Sequence, residues 1–157
     1  MNKQKYCCFY VSDIHLVTML LPYINEKIKE NKEIITIFET NISESAKKVI
    51  ESVNFSRKDK EKFLNIGWDK CKDIKKVNTQ NKIVIIMGSS DFIEEINKEL
   101  DKKKDESLII NCYEMFQAEK NIDHIYKIHS KIVNTKGECE INKFSQNEQK
   151  KMTIKSQ

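Results

Sequence analysis

The residues able to do chemistry in this chain gather just after its apolar segments. Ser12, Asp13 and His15 follow YCCFYV, Glu39, Thr40 and Asn41 follow EIITIF, and Gly88, Ser89 and Ser90 follow KIVIIM. Cys112, Tyr113, Glu114 and Phe116 close SLIINCY and the turn after it. In α/β proteins that handle nucleotides, the first strand-to-helix turn carries glycines, which let successive backbone N–H groups approach a phosphate. VSDIHL has no glycine and places the Asp13 carboxylate where phosphate would sit, so it reads as a helix cap and pocket wall. GSSD at 88–91 suits either an ordinary capped helix start or an anion site. It is the basis of the alternative reading, a nucleotide-binding protein or enzyme that uses the strand-end crevice.

Other constellations are poorer. A nucleophile needs a base, and the base an orienting group; Cys112 with His129 supplies no third member. Side chains alternate along a strand, so Cys112, Tyr113 and Glu114 cannot all face one crevice. His124 and His129 are five residues apart, about 140° of helical rotation, which is the wrong spacing for a two-histidine metal pair. Cys7 and Cys8 are adjacent and point to opposite faces of a strand, and no cysteine pair has zinc-ligand spacing. No catalytic residue, metal or cofactor is assigned. The candidate ligand contacts are Asp13, His15, Glu39, Ser89, Ser90, Tyr113, Glu114, Phe116 and His129.

These residues need a frame. Continuous apolar runs at 5–11, 33–39, 82–88 and 107–113 read as strands buried on both faces. Between the first two, Leu16, Met19, Leu20, Tyr23, Ile24 and Ile28 recur at helical spacing, with a kink or restart expected at Pro22. Helices are expected over 42–53 and 56–66, and one with a serine cap and acidic first turn after Ser89. A further helix is expected over 121–133, with Ile122, Ile125, Ile128 and Ile132 on its apolar face. Trp68 reads as the start of an extended segment or edge strand, and 67–80 as a lysine-rich surface connection. Alternating strands and helices predict a three-layer α/β/α sandwich with a mostly parallel central sheet, of RecA/KaiC-like or Rossmann-like kind. Its working surface is the crevice beyond the strands' carboxyl ends.

Composition sets the class. The 157 residues suit one domain, expected over 1–144 with a polar tail at 145–157. Charged residues make up 33%, and no apolar run reaches the roughly 18 residues of a membrane helix. The net charge of +4 comes from lysines interleaved with acids, with Arg57 the sole arginine, which argues against a nucleic-acid groove. Five cysteines without paired spacing suit a reduced, cytoplasmic protein. The basic N-terminus runs into a short strand-like segment followed by Ser12 and Asp13, unlike a signal peptide.

Two segments together resemble a known family. CCFYVSDIHLVTMLLPYINEKIKENKEIITI and INCYEMFQAEKNIDHIYKIHSKIVNTKGECEINKF are similar to the two ends of MEDS domains, sensory domains named from methanogens, methylotrophs and the regulator DcmR. The shared features are a strand ending in Phe9-Tyr10, a short acidic turn, the Pro22-Tyr23 step, a cysteine-containing strand closed by Tyr113, Phe116, a helix bearing His129, and the finish at Asn142 and Phe144. The chain departs from that pattern at Lys5, Glu114 and Ser130, where family members often carry histidine, aspartate and proline. The resemblance implies a reduced relative of RecA-like and KaiC-like domains. It further implies the sensing of small molecules for an attached or partner regulator, and the leading expectation is a stand-alone, non-catalytic sensory or adaptor domain that binds a small molecule or a regulatory protein. Its pocket would gather Asp13, Glu114 and His129 among aromatic walls.

Overall fold

The apolar runs become the strands of one sheet in a computed structural model that describes residues 3–69 and 73–141. Strands β1 (Gln4–Tyr10), β2 (Ile34–Phe38), β3 (Ile83–Met87), β4 (Leu108–Glu114), β5 (Lys131–Asn134) and β6 (Gly137–Glu140) lie in the order β2-β3-β4-β1-β5-β6. Every pairing is parallel except that of β5 with β6. The four expected strands sit within one residue of the expected bounds, because a strand buried on both faces reads as an unbroken apolar run.

Alternation then divides each strand between two cores. Tyr6, Cys8 and Tyr10 pack on one face with helices α1 (Asp13–Lys29), α2 (Ser43–Ser52) and α3 (Arg57–Asn65). Cys7 and Phe9 pack on the other with α4 (Ser90–Asp101), the short α5 (Met115–Ala118) and α6 (Ile122–Ile128). The result is a three-layer α/β/α sandwich. Helix α1 continues as one element through Pro22, so the expected restart does not occur.

Two expectations are corrected. The helix expected over 121–133 ends at Ile128, with His129 already extended, and Ile132 belongs to β5. The cause is local: two β-branched residues, Ile132 and Val133, precede a hairpin turn. There Asn134 Oδ1 accepts from Lys136 N–H at 2.9 Å and Gly137 takes φ +97°. Trp68 begins no strand. Its indole is buried, donates to the Phe63 carbonyl at 2.9 Å, and lies 6.0 Å from the Phe38 ring. Beside it, Gly67 accepts from Thr36 Oγ1 at 2.7 Å, so this loop covers the outer strand β2 by packing instead of pairing. Residues 73–80 hold one 3-10 turn, Ile74–Lys76. Cys71, Asn142, Phe144 and the expected tail lie outside the described residues. Among the described residues, no helix is long and apolar enough to cross a membrane.

Candidate functional site

The order of the strands puts a switch point between β1 and β4. The chain leaves β1 toward α1 on one face and leaves β4 toward α5 and α6 on the other, so the two turns diverge from neighbouring strand ends. The register sets Tyr10 opposite Glu114, which brings the turn at 11–15 beside the turn at 114–117.

Each turn at this end is closed by the chain's own side chains. After β1, Ser12 Oγ accepts from His15 N–H at 3.1 Å and His15 Nδ1 accepts from Val11 N–H at 3.0 Å. The helix cap is therefore Ser12, and Asp13 is the first helical residue, exposed, with no side-chain hydrogen bond or ion pair among the described residues. After β2, Asn41 Oδ1 accepts from Ser43 N–H at 2.9 Å. After β3, the Glu39 carboxylate accepts from Ser89 N–H at 2.8 Å, while Ser89 Oγ accepts from Phe92 N–H and caps α4. A nucleotide phosphate here would have to displace that carboxylate. After β4, Glu114 accepts from Phe116 N–H at 3.2 Å and Gln117 N–H at 3.0 Å. Phe116 is 75% exposed. Val11 and Ile14 are exposed in the β1 turn as well. Burial, aided by the negative charge of Asp13 and Glu114, holds the Tyr10 phenol well above its ordinary value.

A second concavity lies on the opposite side of β4, between α4 and α6. It encloses about 340 Å³, with Ser90, Asp91, Glu94 and Asn97 on one wall, His124 and Ile125 on the other, and Asn111 and Tyr113 on the strand beneath. Under it runs a buried chain of hydrogen bonds that ties α4, β4 and α6 together. Asn97 Nδ2 donates to the Ile93 carbonyl at 2.7 Å and to Asn111 Oδ1 at 2.8 Å. Asn111 Nδ2 returns a bond to Asn97 Oδ1 at 3.3 Å and meets His129 Nε2 at 2.9 Å. His129 Nδ1 lies 2.6 Å from the Ile125 carbonyl. A carbonyl only accepts, so Nδ1 carries the proton and Nε2 is the acceptor for the Asn111 amide. Burial first, then the charges of Lys5 and His124, lower the His129 pKa to about 4, and the ring is neutral at pH 7.

The nine candidates thus divide. Asp13, His15, Glu39, Ser89, Glu114 and Phe116 stand at the strand ends, Ser90 and Tyr113 line the groove, and His129 fixes its floor. Alternation separates Cys112 from its neighbour: Cys112 packs beneath α1, and Tyr113 and His129 lie on the far face with ring centroids 5.8 Å apart. Cys8, opposite Cys112 in register, has its thiol pushed up by a hydrogen bond to Cys112 and by burial, while burial pushes Cys7 up to about 12. Among the described residues no cluster of His, Cys, Asp and Glu could hold a metal ion. Asn97 and Asn111 escaped the sequence reading, although each interrupts an apolar pattern, one in the stripe Ile93, Ile96, Leu100 and one in the strand SLIINCY. Compared with family models, with curated proteins and with solved structures, the chain finds no match.

Proposed function

We propose that this chain is a non-catalytic sensory or adaptor domain that takes a small molecule in the groove between α4 and α6 and passes its output to a regulatory protein. The observation that carries this reading is the hydroxyl of Tyr113. The residue is 6% exposed, lines the groove, and its hydroxyl has no hydrogen-bond partner among the described residues. That hydroxyl opens into the groove and is not sealed in the core, so a groove of ligand size carries a polar group that a ligand can bond. The groove volume of about 340 Å³ lies within the range of small-molecule sites.

Two further observations support the absence of catalysis. The thiol of Cys112 and the imidazole of His129 lie on opposite faces of the sheet, so no nucleophile and base meet there. Four strand-end N–H groups, those of His15, Ser89, Phe116 and Gln117, already bond to Ser12, Glu39 and Glu114. The sheet also sets side by side the two ends of the chain that resemble MEDS domains, since β1 lies between β4 and β5. The test is a thermal-shift screen of small polar metabolites alongside ATP, GTP and cyclic dinucleotides, on the wild type and on Tyr113→Phe. A ligand at one hundred times its dissociation constant stabilises by about 2.7 kcal/mol. The expected result is a stabilising metabolite whose effect shrinks in Tyr113→Phe, with nucleotides silent. Stabilisation by a nucleotide that is lost in Glu39→Ala would overturn the reading.

A further inference from the structure

We infer that the groove between α4 and α6 takes a small organic cation that donates hydrogen bonds, a primary ammonium compound. The inference rests on reading that groove as a small-molecule site, and it follows from counting what the polar groups of the groove floor have left to offer.

Both ends of the buried chain are anchored on backbone carbonyls, at Ile93 and at Ile125, and a carbonyl can only accept. These anchors fix the direction of every bond between them. The amide of Asn97 has two N–H groups, spent on Ile93 and on Asn111 Oδ1. The amide of Asn111 also has two, spent on Asn97 Oδ1 and on His129 Nε2. The neutral imidazole has one, spent on Ile125. No donor remains. Each amide oxygen, however, has two lone pairs and accepts a single bond within the chain. The groove floor therefore has only acceptors to spare, and the Tyr113 hydroxyl above it can accept or donate.

The charges at the rim point the same way. Lys5 is paired with Asp101 at 3.0 Å and Lys98 with Glu94 at 3.4 Å, so the lining's lysines are already engaged. Asp91 lines the groove at the start of α4, exposed and in no ion pair among the described residues. A ligand with N–H groups and a positive charge satisfies both features. A carboxylate or phosphate finds no free donor on the floor, only those of Ser90, Tyr113, Asn121 and His124 around it, and meets the unpaired Asp91 carboxylate at the rim.

Isothermal titration of the full chain with butane-1,4-diamine, butylammonium, butane-1,4-diol, succinate and tetramethylammonium tests this. The ammonium compounds should bind about ten-fold or more tightly than the diol, the order of advantage of a charged donor over a neutral one. Succinate and tetramethylammonium should not bind. Tyr113→Phe and Asp91→Asn, which delete a hydroxyl and a charge without cutting the core, should each weaken diamine binding several-fold at unchanged melting temperature. Equal binding of diamine and diol, or of tetramethylammonium and butylammonium, overturns the ligand class, as does a preference for succinate. If none of these compounds binds but the wider screen finds a ligand sensitive to Tyr113→Phe, the ligand class falls and the groove stands. If neither finds one, the groove itself falls.

Discussion

His129 is held by two neighbours of fixed character, a carbonyl that must accept and an amide that must donate, so a second proton on the ring has no place to bond. This sets a pH dependence. In the unfolded chain the ring titrates near 6.5, whereas in the folded chain it stays neutral down to about 4. Between those values the unfolded state binds a proton that the folded state refuses, so stability falls as pH drops from 6.5 toward 4 and levels off below. The loss is about 3 kcal/mol at most, from 1.36 kcal/mol per pH unit. Urea midpoints of wild type and His129→Gln across that window should diverge, the variant having the flatter profile; parallel profiles would remove His129 as the cause. Gly88 is a second residue with a single solution. A Cβ there would lie 2.5 Å from Phe92 Cδ1 and 2.8 Å from Glu39 Cβ. Gly88→Ala should therefore cost about 1–3 kcal/mol in urea unfolding, and a neutral result would mean that the turn has slack.

At the scale of elements, burial on both faces made β1 to β4 legible as continuous apolar runs, while β5 and β6 are short, partly exposed and carry Glu138 and Glu140. The hairpin's one signal in the sequence is its turn, Asn134 to Gly137, and the isoleucine spacing of 122–132, which continues the helical period, hid the strand before it. The strand-end residues were legible because capping chemistry follows directly from residue type. The groove was not, because it arises where α4 packs beside α6, and Asn97 and Asn111 look like flaws in apolar patterns until packing joins them. What pins the hairpin is also a matter of packing. Glu138 of β6 accepts from Tyr23 Oη at 3.1 Å, and Lys27 and Lys131 approach it at 3.5 Å and 3.6 Å. A double-mutant cycle of Tyr23→Phe and Glu138→Ala should give a coupling of about 1 kcal/mol, since the bond is charge-assisted and the tyrosine is buried. No coupling would mean that Val133 and the other apolar contacts alone hold β5 and β6 against α1.

Across the whole molecule, two separate cores share one sheet, and that sharing decides how the protein unfolds. Phe38, Ile85 and Cys112 belong to the core beneath α1, α2 and α3, while Ile37, Ile86 and Tyr113 on the same strands belong to the core beneath α4 and α6. Neither layer of helices can leave without exposing one face of every strand, so loss of either core should release the other. The sole tryptophan, Trp68, is buried against Phe38 in the first core and reports that side alone. Helix content comes from both sides. Urea unfolding followed by Trp68 emission and by far-UV circular dichroism should therefore coincide, with a slope of about 1–3 kcal/mol/M. A sharper form of the test strikes the far side. Asn97→Ala breaks the amide chain between α4 and β4 and leaves buried partners unpaired, which should cost about 1–3 kcal/mol. Trp68 makes none of those bonds, yet its midpoint should fall by the same amount as that of the dichroism. If the dichroism shifted while the Trp68 transition stayed in place, the two cores would be separate folding units and the sheet would not couple them.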